Sequence, residues 1–447
     1  MLILPILAVM ISSAPLPQQQ PLFTSDERTS VISNWAAPGC YTISFPQDAL
    51  ARGVLQVHLT PEGSEWLYRF QAAVGTGFLP PTISALDAEG DRSAWKIWVQ
   101  ARLLCDRRAA QAAADSANLA LQNSAKQSAA RATPLKPVLP GTGAVADPGP
   151  IPASLQLALG NPPVFASAVT PMQYTVTFGD AESFAYTDNV TVPTAYAYYR
   201  FRQGVVCAGT MHPEELAAAC TEAGMSASEM RIAAAVSKLE GTFEAVNTYD
   251  TGYLSVGFLQ FITLDDGKHS LAEVLKTEKR RAPEEFAKDF HRYGIDVNND
   301  GTLTVLDPTT GAELSGKDAV LKTIDDKRLT AVFQRAGRHS TAFRSAQIHV
   351  ARSMYWPAED PISIQTPEGL ITGKVSDVVK SEAGMATLFD RKVNRGSCAP
   401  ISDLVGRIVR EHHLKRLSDA SKYERAIIAQ LRYRADFLND ATLAQPE

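Results

Sequence analysis

The sequence lacks several motifs that would place it in a chemical class at once. It has no Cys-x-x-Cys pair, no His-Glu-x-x-His segment and no Gly-x-Ser-x-Gly turn. These absences argue against a structural zinc site, a zinc peptidase of that type and a hydrolase with a serine at a nucleophile elbow. No internal repeat of solenoid period occurs, so a stacked repeat architecture is not expected.

Excess positive charge is also lacking. The 43 Lys and Arg residues are outnumbered by 48 Asp and Glu, which gives a net charge of -5. No bulk cationic field points to nucleic acid, so we expect no such partner. The 45% of hydrophobic residues predicts a globular protein with a sizeable core. No cofactor is implied, and no oligomeric state.

Long apolar runs are limited to the N-terminus, so we expect no transmembrane helix. Residues 1–14 are apolar and end in small residues, which predicts a signal peptide and a secreted or periplasmic protein. For an exported chain, two of the possible cysteine pairings are Cys40 with Cys105 and Cys207 with Cys220. An odd cysteine must remain, and Cys398 is the candidate.

Composition divides the rest of the chain into four segments. Residues 25–131 mix short strands with a long helix and have no assigned role, and residues 132–152 are a Pro/Gly-rich linker. Residues 153–210 are rich in β-branched and aromatic residues and predict two or more strands. Residues 211–440 read mainly as helices with one or two hairpins. The expected fold class is therefore mainly α, or α+β.

The most informative segment begins at residue 226. Ser226 and Glu229 have the form of a capping box, and the mostly apolar sequence MRIAAAVSKLE follows. Gly241 stands where a helix commonly ends. Glu240 is therefore predicted at a helix C-terminus in apolar surroundings, where desolvation and the helix dipole both raise the pKa of a carboxyl. A glycosidase needs such an acid to protonate the leaving oxygen.

A polar loop and an apolar β-rich stretch, residues 241–261, come next. We expect a small hairpin that folds back over Glu240 and brings Asp250, Ser255 and Gln260 into one cleft. The same loop contains Asn247, Tyr249 and Tyr253. The two tyrosines either stack on sugar rings or simply pack within the hairpin, and the sequence leaves both alternatives open.

This segment resembles the lysozyme-like superfamily. Goose-type lysozymes and lytic transglycosylases place a catalytic Glu at a helix end, followed about twenty residues later by a segment similar to Ser255-Val-Gly-Phe-Leu-Gln260. Family 46 chitosanases have a second carboxylate in a loop that Asp250-Thr-Gly-Tyr253 resembles, one residue shorter. Residues 381–397 resemble the late cleft segment of that group, in which Asp390 and Asn394 either line the cleft or cap a loop.

The resemblance implies a role for each matching residue. Glu240 would be the general acid and Asp250 the general base that activates water in an inverting enzyme. A lytic transglycosylase would need the acid alone. Glu244 is the competing second carboxylate. Asn247, Tyr249, Tyr253, Ser255, Gln260, Asp390 and Asn394 would bind the sugar.

A metal site has one weak candidate. Asp296, Asn298, Asp300 and Asp307 fit the start of an EF-hand calcium loop, but the twelfth position is Asp rather than Glu. The favoured alternative is a β-hairpin with its turn at NNDG. Further along the chain, we expect Arg434 and Asp436 to form an ion pair on a final helix.

These observations predict a lysozyme-like helical domain with a small β-hairpin. The expected function is cleavage of a β-1,4-linked amino-sugar polymer, with peptidoglycan as the first substrate and chitosan as the alternative. A lytic transglycosylase of the same fold and a non-catalytic carbohydrate-binding or structural module are the other hypotheses.

Overall fold

The computed structural model describes residues 21–44, 56–75, 88–128, 147–190 and 198–447. The predicted signal peptide, residues 1–14, and most of the predicted linker, residues 132–146, lie outside these ranges. Among the described residues, no helix combines the length and the hydropathy needed to cross a membrane.

Helices dominate the described chain, and the mixed α+β class is confirmed. Before residue 210 the helices are α1 (Ser25–Trp35), α2 (Pro61–Gly75), α3 (Ala88–Ser128) and α4 (Ala153–Leu159). The strands of this part are β1 (Tyr41–Ser44), β2 (Gln56–Leu59), β3 (Ala166–Val169), β4 (Gln173–Thr177), β5 (Ser183–Thr187) and β6 (Val206–Cys207). The long helix and the strands predicted from composition are thus present.

The part after residue 210 is mainly helical. Its helices are α5 (Pro213–Glu222), α6 (Ala227–Ser237), α7 (Ser270–Arg281), α8 (Pro283–Asp289), α9 (Lys317–Asp325), α10 (Lys327–His339), α11 (Thr341–Tyr355), α12 (Val375–Val378), α13 (Glu382–Arg395), α14 (Ile401–Glu411) and α15 (Glu424–Leu431). Its strands are β7 (Val246–Asn247), β8 (Ser255–Val256), β9 (Phe261–Ile262), β10 (Ile295–Val297), β11 (Leu303–Leu306), β12 (Glu313–Ser315), β13 (Pro361–Thr366) and β14 (Gly369–Lys374).

The strand pairs of the described ranges are antiparallel. Their sheets have the orders β1-β4-β5, β2-β3, β6-β7-β8-β9, β10-β11-β12 and β13-β14. In β4 the exposure alternates, with Tyr174 and Val176 facing inward, as the period-2 pattern of YTVTF predicted. The hairpin β13–β14 adds to the hairpins expected in this half of the chain.

Two hydrophobic cores organise these elements. The main core contains the helices after residue 210 together with α1, β4 and β5, which contribute Trp35, Val176 and Phe184. A second cluster, built around Trp66 and Trp95, joins helices α2, α3 and α4 to strand β2 and to Phe165, the residue before β3. These two cores do not coincide with the segments predicted from composition. The predicted segment boundaries therefore stay a prediction.

All five cysteines are free thiols. The pairings considered from the sequence are therefore not formed. Cys40 donates to the carbonyl of Trp35 at 2.8 Å, and Cys207 accepts a hydrogen bond from Gln334 at 2.8 Å. Cys220 is buried in the main core.

Candidate active site

Helix α6 begins where the sequence predicted. The Ser226 hydroxyl accepts from the amide of Glu229 at 3.2 Å, and the Glu229 carboxylate accepts from the amide of Ser226 at 2.7 Å. This reciprocal capping satisfies two amides that the first helical turn leaves unpaired. Ile232 and Val236 bury the inner face of the helix.

The end of α6 differs from the prediction. The helix stops at Ser237, and Glu240 follows in a tight turn. The amide of Glu240 donates to the Ser237 carbonyl at 3.1 Å. Gly241 is not a left-handed cap. A Cβ there would lie 2.9 Å from the Cβ of Ala245 and 3.4 Å from the side-chain nitrogen of Gln260. The glycine is required by close packing rather than by helix termination.

Helix α13 lies against α6 and is fixed to it by an ion pair. Arg231 on α6 donates to both carboxylate oxygens of Glu382, at 2.5 and 3.0 Å. The Glu382 side chain is 7% exposed, and the hydrogen bond from Arg231 lowers its pKa to about 2. Because this pair aligns the two helices, the far end of α13 lies beside Glu240.

The Glu240 side chain is 10% exposed and is held by two donors. Arg434 donates from Nη2 to Oε1 at 2.6 Å, and Asn394 donates to the same oxygen at 2.8 Å. The same guanidinium binds Asp390, which is 1% exposed, with one bond of 2.9 Å from Nε. Both hydrogen bonds to Glu240 from described residues thus reach Oε1, which leaves Oε2 as the atom that can hold a proton.

The electrostatics of this carboxyl agree with an acid. Burial raises the pKa of Glu240 above its ordinary value, and the charge of Asp390 adds to the rise. Arg434 and the hydrogen bond from Asn394 oppose it without cancelling it. The expectation of a raised pKa therefore holds, with desolvation as its main cause.

Arg434 is the partner that sequence reasoning missed. Helix α15 ends at Leu431, so Arg434 lies beyond the last helix rather than on it. The predicted pair with Asp436 is wrong, because Asp436 is bound by Arg432 at 2.5 Å. After Leu431 the chain leaves the helix and directs Arg434 toward α13. The prediction that LRYRADFL is helical did not allow for this position.

Tyr355, at the end of α11, was also missed. Burial raises the pKa of Tyr355, the hydrogen bond with Ser270 lowers it, and the charge of Glu240 adds to the rise. The Ser270 hydroxyl in turn accepts from the amide of Ile262 at 3.0 Å. Tyr355 is thus connected to strand β9 through Ser270.

The predicted hairpin is present as a meander of β7, β8 and β9. Asn247 pairs with Ser255, and Ser255 pairs with Ile262 across the next strand. Gln347, fully buried on α11, accepts from the amide of Phe258 at 3.1 Å and so fastens the meander to the core. The meander therefore follows α6 as the sequence indicated.

Asp250 lies in the turn between β7 and β8. It accepts from the side chain of Asn247 at 2.7 Å and from the amide of Gly252 at 2.8 Å. Burial raises the pKa of Asp250, while these hydrogen bonds and the charge of Arg200 lower it. Glu240 and Asp250 thus both have a raised pKa, and they have different charged neighbours: Arg434 and Asp390 beside Glu240, and Arg200 near Asp250.

The other predicted sugar ligands are placed unequally. Ser255 is 3% exposed and lies within the sheet. Tyr253 is half-buried with its ring 5.0 Å from that of Phe201, and the ring of Tyr249 lies 6.3 Å from that of Tyr199. Gln260 is half-buried beside Gly241 and donates to the Gly257 carbonyl at 3.0 Å. Gln260 therefore lies beside the turn that carries Glu240.

Glu244 is neither solvated nor part of this cluster. It is 7% exposed and accepts from Arg338 at 2.6 Å and from the amide of Thr210 at 3.0 Å. Arg338 also binds Glu182 in the β4–β5 turn. Glu244 therefore acts in an ion-pair network that attaches the β5 edge to α10.

The weak calcium candidate is a hairpin. Strands β10 and β11 pair with Asp296 opposite Thr304, which confirms the alternative that the sequence favoured. Lys279 and His291 bind Asp296 at 2.6 and 2.7 Å. Asn298 and Asp300 accept from the amide of Thr302, and Lys322 binds Asp307 at 3.0 Å. Within the described ranges, no three or more His, Cys, Asp or Glu side chains form a metal-binding group.

We found no protein-family model, curated protein or solved structure that matches this chain. The resemblance to lysozyme-like enzymes therefore stays a prediction from the sequence motif.

Proposed function

We propose that this protein is a glycosidase that cleaves a β-1,4-linked amino-sugar polymer, with Glu240 as the general acid. The observation that carries the proposal is the Glu240 carboxyl, 10% exposed and held at Oε1 by Arg434 and Asn394. A carboxyl with a raised pKa and one oxygen left to hold a proton can protonate a leaving glycosidic oxygen.

Asp250 is the proposed general base. Its carboxylate is oriented by Asn247 and Gly252, and as the base it would act in its ionised form while Glu240 is protonated. In an inverting enzyme this carboxylate would activate water on the opposite face of the sugar. A lytic transglycosylase would not use Asp250, because the substrate's own hydroxyl completes that reaction.

The proposed fold is lysozyme-like. A capped helix that ends just before the acid, followed by a β meander, supports this assignment. Peptidoglycan is the first expected substrate and chitosan the second, and the sugar would contact Gln260 and Asn394 beside the acid. A signal peptide over residues 1–14 and a secreted or periplasmic location belong to the same proposal.

The test compares three proteins on peptidoglycan and on chitosan. We expect the wild type to release reducing ends and Glu240→Gln to lose at least about 100-fold in kcat. Glu359→Gln is the matched control, since the Glu359 side chain is 76% exposed. Turnover by neither wild type nor control would leave a carbohydrate-binding or structural module, and equal turnover by wild type and Glu240→Gln would remove Glu240 from the chemistry.

Product analysis separates the two reaction types. Anhydro-sugar products that persist in Asp250→Asn identify a transglycosylase. Reducing sugars of inverted configuration, lost in Asp250→Asn, identify an inverting hydrolase.

A further inference from the structure

Two arginines near the end of helix α13 have partners other than carboxylates. Arg391 donates to the carbonyls of Ala399 and Leu431. Cζ of Arg395 lies 4.5 Å from the centre of the Tyr433 ring, at the distance of a cation–π contact. Neither arginine forms an ion pair with a residue that the structure describes.

The two guanidinium groups share one face of the helix. Arg391 and Arg395 are four positions apart on α13, where like charges repel each other. Burial and the charge of Arg395 both lower the pKa of Arg391. Asp390, the acid next to Arg391 in the chain, is bound by Arg434. This face of α13 therefore carries positive charge that an anion from outside the chain could neutralise.

Arg395 and Tyr433 each adjoin a residue that holds the proposed acid. Asn394, just before Arg395, donates to Oε1 of Glu240 at 2.8 Å. Arg434, just after Tyr433, donates to the same oxygen at 2.6 Å. Consecutive Cα atoms are only about 3.8 Å apart, so the stacked pair lies at the border of the Glu240 site.

The stacked pair is accessible to a ligand. Arg395 is exposed, and so is Tyr433, at 39%. Among the described aromatic side chains, only Tyr68 and Tyr198 are also exposed. A guanidinium that stacks on an aromatic ring is held in one plane, and the N–H donors at its edge match the two oxygens of a carboxylate.

We propose that Arg395, stacked on Tyr433, binds a carboxylate of the glycan at the border of the Glu240 site. Arg391 adds positive charge on the same face of α13. A glycan whose sugars carry lactyl or uronic carboxylates fits this surface, whereas a polymer of free amino sugars would be repelled by it. The subsite rests on the proposed function, because it places the carboxylate beside the proposed acid.

Ligand binding to the full-length chain carrying Glu240→Gln tests the proposal without cleavage of the ligand. The probe is a tetrasaccharide of alternating N-acetylglucosamine and N-acetylmuramic acid. Its matched control is the methyl ester of the same compound, which keeps the sugars and loses the negative charge. We expect the acid to bind at least about tenfold more tightly than the ester, because the ester cannot form the charge-assisted hydrogen bonds.

Further variants locate the subsite. Arg395→Gln should bind the acid as weakly as the ester, and Tyr433→Leu, which removes the ring beneath the guanidinium, should reduce the difference between the two forms. Arg432→Gln is the matched control, since it removes a neighbouring positive charge whose side chain is 58% exposed. Equal binding of acid and ester, no binding of either, or equal losses in Arg395→Gln and Arg432→Gln would overturn the proposal.

Initial rates of the wild type separate this proposal from the proposed function. Turnover of acid and ester with the same kcat/KM would remove the subsite and keep the glycosidase. Charge-dependent binding without turnover would keep the subsite and remove the glycosidase. The ratio of the two kcat/KM values replaces the binding measurement if Glu240→Gln does not fold, and a wild type without turnover can be titrated directly.

Discussion

Arg434 donates a hydrogen bond of 2.6 Å to Glu240, although 194 positions separate the two residues in the chain. The same guanidinium binds Asp390, whose side chain is 1% exposed. One cation therefore neutralises a fully buried carboxylate and touches the proposed acid. This arrangement keeps Glu240 in place while allowing it to gain or lose a proton. The positive charge of Arg434 stays paired with Asp390 in either state of Glu240.

Arg434→Ala tests this arrangement. The loss of Arg434 removes a charge that lowers the pKa of Glu240, so the alkaline limb of the pH–rate profile should move to higher pH. The variant should also lose about 3 kcal/mol of stability, because Asp390 becomes a buried charge without its cation. Urea unfolding and pH–rate profiles measure the two effects.

Arg432→Ala is the control for that variant. Arg432 binds Asp436 on the surface, with 58% of its side chain exposed, so its loss should cost less than about 1 kcal/mol. A pH–rate profile that moves equally in both variants would contradict a specific role for Arg434.

The pH dependence of activity should be bell-shaped. General acid catalysis needs protonated Glu240, so the rate falls as pH rises through its raised pKa. A general base needs ionised Asp250, so the rate falls as pH decreases through the pKa of Asp250, which is also raised. Asp250→Asn should abolish the acidic limb. An acidic limb unchanged in Asp250→Asn would exclude Asp250 as the base.

Gly257→Ala should disrupt the meander that follows the acid. Gly257 has φ +87°, and an added Cβ would lie 2.7 Å from Cδ of Gln347 and closer still to its oxygen. Gln347 cannot move without breaking its bonds to the amide of Phe258 and the carbonyl of Phe243. Each buried group left unpaired costs about 1–3 kcal/mol.

Gly224→Ala is the matched control in the meander test. Gly224 has φ +70°, and nothing lies within 4 Å of the position that an added Cβ would take, so it should show only the backbone cost of about 1 kcal/mol. Thermal unfolding of both variants separates the backbone cost, which both share, from the steric clash with Gln347, which only Gly257→Ala has. Equal losses of stability would refute the clash.

Stability should fall with rising pH because of Glu278. Its folded pKa of about 10 lies above the ordinary value of 4.5, so its favourable contribution is complete below pH 4.5 and is lost as pH rises toward 10. The free energy of unfolding of Glu278→Gln should therefore rise relative to that of the wild type with increasing pH, by up to about 1.4 kcal/mol per pH unit. Glu273→Gln, on the same helix and 47% exposed, should show no such gain in chemical unfolding from about pH 5 to 9.

Calcium removal should leave the fold unchanged. Asp296 is bound by Lys279 and His291, and Asp307 is bound by Lys322. Cations of the chain already occupy two of the four candidate ligands. A decrease in melting temperature on adding a chelator, restored by calcium, would contradict the hairpin as a metal-free element.

Local features near the proposed acid were predictable from the sequence. The capping box at Ser226 and Glu229, the buried face of α6, the meander after Glu240 and the β10–β11 hairpin all depend on neighbours a few residues away. Hydrophobic period, capping chemistry and turn residues act at that range, so the sequence carries them directly.

The sequence by itself determined that a capped apolar helix leads to Glu240 and that a β meander follows. Only the tertiary structure decided which groups surround that carboxyl. Arg434 follows α15 and Asn394 lies on α13, and the two meet at Glu240 because α13 packs on the core. The pKa of Glu240 depends on desolvation and on charges within a few ångströms, and those are properties of packing that no local pattern encodes.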